Sequence, residues 1–250
     1  TLYLPIIKKH SRFLSTSRRG AELIKYASNA FLATKISYIN ELANLCEKAD
    51  VDVKDISVGM GLDQRIGERF LRAGPAYGGS CFPKDTRALI DTSRKFGTKL
   101  NIIESVVKSN DSRRMLLIKK VEKILNNKIK KKIISFLGVT FKPNTDDMRE
   151  ASSLLMIKYL SNKGAYIRYY DPTGHKNEFA NMKNVKFYNN ISNVCKLSDL
   201  IIIHTEWNEF RLLNFKKLVK KKNFKIFDMR NIYSPKKMLS KGLQYYGIGR

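Results

Sequence analysis

Apolar side chains recur every three or four positions through the first half of the chain, which is the spacing of one face of an α-helix. The longest such pattern runs over 20–49, and shorter ones follow at 52–61, 85–96 and 102–126. A helix over 20–49 would be roughly 45 Å long at 1.5 Å per residue, a length that suits a central strut or a dimerisation helix. The positions that define its stripe are Leu23, Ala27, Phe31, Thr34, Tyr38, Leu42 and Leu45.

The pattern changes at Lys132, where short uninterrupted apolar runs begin to alternate with helical segments. Such runs are typical of strands buried on both faces of a parallel sheet. The predicted strands are 133–138, 166–170, 185–188, 200–204 and 224–227, with helices at 151–163, 191–197 and 208–221. We therefore predict an all-α central domain with a long helix, followed by an α/β domain with a parallel Rossmann-like sheet. The predicted boundaries are a lead-in at 1–19, a helical domain at 20–126 and an α/β domain at 127–250.

The net charge of +26 is carried mainly by lysines spread over the whole chain. A strongly basic chain brings nucleic-acid binding into consideration. The densest runs, 128–132 and 220–222, precede predicted strands and are interpreted as solvated loop ends, and no RRM-like, KH-like or zinc-finger pattern accompanies them. We therefore expect no specific nucleic-acid partner, although the charge favours anionic ligands.

No run of about 18 apolar residues occurs, so we expect neither a membrane span nor a membrane partner. The cysteines are three in number and far apart, with no Cys/His cluster, which predicts a reduced, cytoplasmic protein without a bound metal. Cys46 and Cys195 lie in apolar-periodic stretches and are expected to be buried core thiols. Cys81 differs, because it follows a glycine-rich loop and precedes Lys84 and Asp85.

The spacing around Cys81 leaves two interpretations open. The glycines and the proline at 74–79 disfavour a helix and let the backbone approach a ligand closely. A cysteine near a helix start and a lysine favours the thiolate, which is the nucleophilic form of the side chain. The alternative is an ordinary turn with a buried thiol.

Lys25 and Asn29 are spaced i and i+4 in the long predicted helix, so they share one of its faces. They lie close to the apolar stripe and not opposite it. A buried lysine at such a position can act as a general base or stabilise an oxyanion. A salt bridge between Lys25 and Glu22 is the simpler alternative.

A polar segment follows the first predicted strand, at the edge where open α/β sheets bind ligands. It contains Lys142 and Arg149, which could neutralise phosphates, although the aspartates between them could instead form a self-paired surface loop. Arg230 follows a later strand and is expected at the same edge. A dinucleotide-binding Gly-x-Gly-x-x-Gly motif is absent, because the one Gly-x-Gly pair follows a helix and lacks the third glycine.

Several long motifs together resemble those of the UDP-glucose 6-dehydrogenases, in the UDP-glucose/GDP-mannose dehydrogenase family. The loop at 74–85, Gly-Pro-Ala-Tyr-Gly-Gly-Ser-Cys-Phe-Pro-Lys-Asp, resembles the family's catalytic loop. The segment 21–31 resembles the start of its central helix, and 141–150 resembles its linker into the UDP-binding domain. The segments 205–210 and 230–233 resemble its late motifs. Branches that oxidise GDP-mannose or UDP-N-acetylmannosamine have different sequences around the cysteine.

The resemblance implies a two-step oxidation of the C6 alcohol of UDP-glucose to a carboxylate, with NAD as cofactor and no metal. Cys81 would attack the C6 aldehyde to give a thiohemiacetal, whose oxidation gives a thioester that water hydrolyses to UDP-glucuronate. Lys25 and Asn29 would stabilise the oxyanion or position water, and Asp85 would assist proton transfer. The substrate contacts carried over by motif are Lys25, Asn29, Arg65 (toward the neighbouring subunit), Tyr77, Gly78, Phe141, Lys142 and Arg230, and the NAD contacts are Lys84 and Arg149.

Family members begin with an NAD-binding Rossmann domain, and the resemblance implies that this chain starts where that domain ends, with 1–19 as its remnant. It also implies a homodimer through the long helix. The alternative is a truncated, non-catalytic UDP-sugar-binding or dimerisation remnant. Ala76 replaces a usual loop glycine, which would cost about 1 kcal/mol or more if its φ is positive. Met229 replaces another glycine, before Arg230. The preference among UDP-hexoses stays open.

Overall fold

The computed structural model describes residues 13–250, and predictions for residues 1–12 lie outside the described residues. The first part of the structure is helical, as predicted. Its helices are α1 (Arg18–Ala49), α2 (Val53–Gly61), α3 (Cys81–Lys95) and α4 (Asn101–Ile124). Helix α3 begins four residues before the predicted start, which makes Cys81 its first residue. No helix within residues 13–250 is long and apolar enough to cross a membrane.

Helix α1 is capped by Ser17, whose side chain accepts a hydrogen bond from the backbone N–H of Gly20. Its 32 residues pack against α3 and α4 mainly through small side chains. The predicted apolar stripe is not the buried face. Four of its members stay exposed, at 51% for Leu23, 66% for Phe31, 51% for Tyr38 and 60% for Leu45. Small residues let neighbouring helices approach closely, so the large side chains point away from the core.

A six-stranded, fully parallel sheet forms the second part, in the order β3-β2-β1-β4-β5-β6. The five predicted strands are confirmed, and the sixth was missed because it is a short segment that follows helix α8. The strands are β1 (Ile133–Leu137), β2 (Tyr166–Tyr170), β3 (Val185–Phe187), β4 (Leu200–Ile203), β5 (Lys225–Asp228) and β6 (Gln244–Tyr246). The helices of this part are α5 (Ser152–Asn162), α6 (Ile191–Cys195), α7 (Phe215–Val219) and α8 (Pro235–Ser240).

The predicted helix over 208–221 is wrong in detail. The structure has a 3₁₀ helix at Asn208–Leu212 and the short α7 in its place, separated by Leu213 in extended backbone. Asn214 then caps α7 by accepting a hydrogen bond from the backbone N–H of Lys217. A side chain that can cap starts a new helix at a point where periodicity alone would extend the old one.

Both faces of the sheet are buried, which explains the uninterrupted apolar runs. Ile134 and Phe136 of β1 point into a core shared with the helical part, and Leu137 points into a core on the opposite face. The shared core also contains Ile39 of α1 and Leu117 of α4. The helices are therefore packed directly against the sheet, and the carboxyl ends of its strands face the loop that precedes α3.

Candidate active site

Cys81 opens helix α3 with an exposed thiol, whereas Cys46 and Cys195 are buried as predicted. Burial raises the pKa of the Cys195 thiol to about 12. As the first residue of a 15-residue helix, Cys81 lies where unpaired backbone N–H groups favour negative charge. Asp85 lies four residues later on the same face of α3. The geometry thus separates one accessible sulfur from two inert ones.

Asp85 is the centre of a charged cluster behind the cysteine. Its side chain has no exposed surface, and its Oδ2 lies 3.2 Å from Nζ of Lys25. The same oxygen accepts a hydrogen bond of 2.6 Å from Nδ2 of Asn29, and Oδ1 accepts one of 2.6 Å from Nζ of Lys84. The alternative pairing of Lys25 with Glu22 is wrong, because the ammonium group turns toward α3 instead.

The electrostatics of this cluster keep Asp85 ionised. Burial by itself raises the pKa of a carboxyl group, but the lysines and the asparagine around this one outweigh burial, and the pKa of Asp85 lies below its ordinary value. The carboxylate raises the pKa of the Lys84 ammonium group in return. Two pairs predicted from separate segments, Lys25 with Asn29 on α1 and Lys84 with Asp85 on α3, are therefore one unit.

The glycine-rich loop packs against the segment that follows β1. A Cβ atom on Gly79, whose φ is +77°, would lie 2.7 Å from the ring of Phe141. A Cβ atom on Gly78 would lie 2.6 Å from the carbonyl oxygen of Glu150, so any side chain at either position would push the loop away. The φ of Ala76 is not positive, so the alanine that replaces the usual loop glycine causes no left-handed backbone strain.

A buried polar clamp, made of Asn40, Asn110 and Arg113, holds the start of the same loop. Oδ1 of Asn110 accepts a hydrogen bond from the backbone N–H of Tyr77, and Nδ2 donates to its carbonyl oxygen, at 2.9 and 3.2 Å. The backbone N–H of Gly74 donates to Oδ1 of Asn40 at 2.9 Å, and its carbonyl oxygen accepts from Nε of Arg113 at 2.8 Å.

Nη1 of Arg113 also donates to the carbonyl oxygen of Asn40, at 3.0 Å. Burial lowers the pKa of Arg113 to about 10, which leaves it charged at neutral pH. None of the three clamp residues was predicted from the sequence. They are polar side chains on the buried faces of α1 and α4, and only a polar interruption of the apolar periodicity marks them in the sequence.

The segment 141–150 carries the predicted phosphate and cofactor contacts. Lys142 is exposed and makes no ion pair within residues 13–250, and its Nζ lies 5.4 Å from the ring centre of Phe141. Arg149 is held by Asp147 through two side-chain hydrogen bonds of 2.9 Å, as in the self-paired alternative. Its backbone oxygen accepts a hydrogen bond from Gly79, which ties this segment to the loop before Cys81.

Arg230 joins the ends of three neighbouring loops at the carboxyl edge of the sheet. Its Nε donates to the carbonyl oxygen of His204 at 2.8 Å, and Nη2 donates to that of Phe141 at 2.8 Å. Nε also lies 2.9 Å from a carboxylate oxygen of Glu206. Burial, with the charge of Arg230 adding to it, lowers the pKa of His204 to about 3. A cavity of about 420 Å³ borders Arg230 and is lined further by Leu71, Ala73 and Arg211, among others.

Two predicted substrate residues are already engaged within the chain. The ring of Tyr77 is buried with Ala33 and Val106, and its backbone N–H and carbonyl oxygen are bonded to the side chain of Asn110. Arg65 lies in the loop after α2, 89% exposed, with its guanidinium paired to Asp63 at 2.6 Å. No group of three or more His, Cys, Asp or Glu in the described part of the chain is arranged to hold a metal ion.

Comparisons with known proteins agree with this architecture. Residues 19–112 match the central domain of the UDP-glucose/GDP-mannose dehydrogenase family, and residues 135–235 match the UDP binding domain of that family. The UDP-glucose 6-dehydrogenase of Rickettsia typhi is 43% identical over 100% of this chain and 58% of its own length. That of Rhizobium meliloti is 43% identical over 100% of this chain and 57% of its own length. The chain thus spans little more than half the length of the curated relatives it matches.

Solved structures give the same result. A UDP-glucose dehydrogenase from Pyrobaculum islandicum superimposes with a TM-score of 0.84 at 30% identity, covering 99% of this chain and 56% of the other. An NDP-N-acetyl-D-galactosaminuronic acid dehydrogenase from Methanosarcina mazei superimposes with a TM-score of 0.83 at 27% identity, covering 94% and 51%. With its two matched domains in the family order, this chain belongs to the UDP-glucose/GDP-mannose dehydrogenase family.

Proposed function

We propose that this chain is the substrate-binding and catalytic-cysteine portion of an NAD-dependent UDP-glucose 6-dehydrogenase, with an α-helical domain at 20–126 and a UDP-binding domain at 127–250. The observation that carries the proposal is the exposed thiol of Cys81 at the start of α3, one helical turn before a fully buried carboxylate that gathers Lys25 and Asn29. The names of the relatives support UDP-glucose as the substrate.

The covalent chemistry follows from the nature of these groups. The thiolate of Cys81 adds to the C6 aldehyde carbon and forms a C–S bond, and the carbonyl oxygen becomes an oxyanion beside Lys25 and Asn29. That oxygen takes up a proton, which gives the thiohemiacetal. Loss of a hydride from C6 and of the hydroxyl proton to solvent gives the thioester. Water then adds to the thioester carbon and the C–S bond breaks, which releases the carboxylate and the thiolate, and the two protons of the water pass to solvent.

Asp85 acts in this scheme as a positioning residue. Its side chain has no exposed surface, so it does not reach a substrate atom. As a carboxylate it fixes the ammonium group of Lys25 and the amide of Asn29, leaving one amide hydrogen of Asn29 for the oxyanion or for water. The resemblance implied that Asp85 assists proton transfer, and in this scheme it does so by holding Lys25 and Asn29 in place.

NAD⁺, when bound, supplies the hydride acceptor for both oxidations. The residues of this chain that fit it are Lys84 and Arg149, which are 61% and 69% exposed. Hydrogen bonds to Asp85 and Asp147 raise the pKa values of Lys84 and Arg149, respectively. Two exposed cations beside the cysteine suit an anionic dinucleotide. Their own carboxylate partners hold both in place before any ligand arrives.

Lys142 and Arg230 are proposed to hold the substrate. Lys142 is an exposed ammonium group with no ion pair in residues 13–250, which suits a phosphate. Arg230 fixes Phe141 beside it through the Nη2 hydrogen bond.

A nucleophilic thiol must stay reduced to react, and all three cysteines are free, which supports a cytoplasmic location.

Calorimetry with UDP-glucose tests this assignment on the chain itself. We expect saturable binding of UDP-glucose and UDP, and a loss of about tenfold in affinity for Lys142→Ala, since an ammonium–phosphate contact contributes about 1.5 kcal/mol. Lys158→Ala, an exposed lysine on α5, is the matched control and should bind as the wild type does. Absence of heat with folded protein, or equal losses in both variants, would refute the assignment.

The exposed stripe of α1 supports a homodimer. Three members of the stripe, Phe31, Tyr38 and Leu45, are spaced by seven residues, and Ile24 extends this spacing toward the start of the helix. These four side chains are between 47% and 66% exposed, which is the pattern of a helix–helix seam. We expect sedimentation analysis to give a dimer, and Phe31→Glu with Leu45→Glu to give a folded monomer. A wild-type monomer at all concentrations would contradict the dimer, with Arg65 then left without a neighbouring site.

A further inference from the structure

The edge of the sheet opposite the candidate active site is strongly basic. All six strands are parallel, so they all begin at this one edge, here named the amino edge and defined as the five residues before each strand. The windows before β1 and β5 contribute the lysines of 128–132 and 220–222, and the other strands are preceded by Lys163, Lys183, Lys196 and Lys241. All of these lysines are exposed except Lys132, which is half-buried.

Asp199 is the one acidic residue in the same windows. Its carboxylate is already occupied by Lys132 at 3.2 Å and Lys221 at 2.9 Å, and it accepts a hydrogen bond from the backbone N–H of Ile133. The remaining lysines form no ion pair with any residue in 13–250. Their charge is therefore free to act on a partner.

Compositional bias does not account for this edge. The five residues after each strand, at the opposite edge, carry Lys142, Arg230 and Arg250 against Asp171 and Glu206, so the charges there nearly balance. A chain that was lysine-rich at random would load both edges of one sheet alike. The asymmetry concentrates positive charge on the side that leaves Cys81 open to solution.

The amino edge also presents an apolar side chain near its middle. Leu197 precedes β4, a central strand, and is 47% exposed with a left-handed φ of 60°. Its backbone N–H donates to the carbonyl oxygen of Val219 at 2.7 Å, which holds the turn. A leucine pays a penalty of roughly 1–2 kcal/mol in this region of φ, so the fold keeps an exposed apolar group at a conformational cost.

We propose that the amino edge is a docking surface for an anionic phospholipid bilayer. Six strands at a spacing of about 4.8 Å make an edge some 24 Å wide, which suits a broad, level surface. Lysines near a membrane surface attract anionic lipids by about 1 kcal/mol each, and an exposed leucine adds contact with the acyl region. The windows hold no arginine, and their one aromatic side chain, Phe224, is buried, so base stacking and bidentate phosphate contacts are not offered.

Vesicle co-sedimentation of the 250-residue chain tests this surface. We expect binding to phosphatidylcholine vesicles that contain about one-third phosphatidylglycerol, none to pure phosphatidylcholine, and release by salt, because the attraction is electrostatic. Replacing Lys128, Lys130, Lys220 and Lys222 together by glutamate should weaken binding at least ~100-fold. Leu197→Glu, which changes one charge only, should weaken it severalfold.

The matched control reverses four exposed lysines elsewhere, Lys95, Lys108, Lys119 and Lys158, and so changes the net charge by the same amount. This control should bind within about twofold of the wild type. Equal losses in both quadruple variants would reduce the effect to bulk charge and overturn the proposal. The proposal would also be overturned if the wild type bound duplex DNA and not the anionic vesicles, and if only the amino-edge variant lost that DNA binding. Circular dichroism establishes that each variant is folded, and should the quadruple variant unfold, Leu197→Glu and the salt titration decide the outcome.

Discussion

The two ends of the segment 74–85 are held in opposite ways. At its start, Gly74 and Tyr77 are fixed through their backbone groups by the buried clamp of Asn40, Asn110 and Arg113. At its end, Cys81 is exposed, and the lysines that pair with the nearby Asp85 are more than half exposed to solvent. Buried polar contacts therefore set where the loop lies, whereas exposed charged groups surround the sulfur that is proposed to react.

This contrast makes different energetic demands on the two ends. A buried hydrogen-bonding group that loses its partner retains the full cost of desolvation. An ion pair with exposed partners is screened by water and contributes little. Changes at the clamp should therefore act on stability, and changes at the Asp85 cluster mainly on chemistry.

The largest effect is expected for Arg113→Ala. It leaves the carbonyl oxygens of Gly74 and Asn40 without their donor and opens a buried cavity, so the free energy of unfolding should fall by about 3 kcal/mol. Urea denaturation measures this. Lys119→Ala on the same helix is the exposed control and should change stability by less than about 0.5 kcal/mol. A loss for Arg113→Ala as small as that of the control would show that the clamp does not stabilise the fold.

Asn110→Ala should have the next largest effect, a loss of about 2 kcal/mol, because both backbone groups of Tyr77 lose their partner. The loop should also move, and the rate of Cys81 alkylation by iodoacetamide should change with it. Since Cys81 is the exposed cysteine, the alkylated peptide is identified by mass spectrometry. An unchanged alkylation rate together with full stability would show that the clamp does not place the loop.

Asp85→Asn should have the smallest effect on stability, about 1 kcal/mol at neutral pH, because its cationic partners are more than half exposed. The pKa of Asp85 is lowered in the folded chain, so its contribution is present above the ordinary carboxyl pKa and is lost as the pH falls through the folded value. The stability difference between wild type and variant should accordingly shrink below pH ~4. A difference that is constant down to pH ~2 would mean that Asp85 is not ionised in this cluster.

The sequence predicted the two-part fold and singled out Cys81 among the three cysteines, but it did not predict the clamp. Parallel strands leave long apolar runs, and Cys81, Lys84 and Asp85 lie in one contiguous motif. Asn110 and Arg113 are distant in sequence from the loop they hold, and their function exists only once α1 and α4 pack together. The apolar stripe of α1 was read from periodicity, which marks an apolar face without identifying what covers it, and the structure leaves four of its members exposed.

Covalent capture of a C6 aldehyde by Cys81 is the central claim, and it can be measured without cofactor. UDP-glucose 6-aldehyde labelled with ¹³C at C6 should, when mixed with the chain, give a protein-bound ¹³C NMR signal of a thiohemiacetal carbon. Cys81→Ala should give only the free aldehyde and its hydrate, whereas Cys195→Ala should behave as the wild type. The same spectrum for wild type and Cys81→Ala would contradict the account.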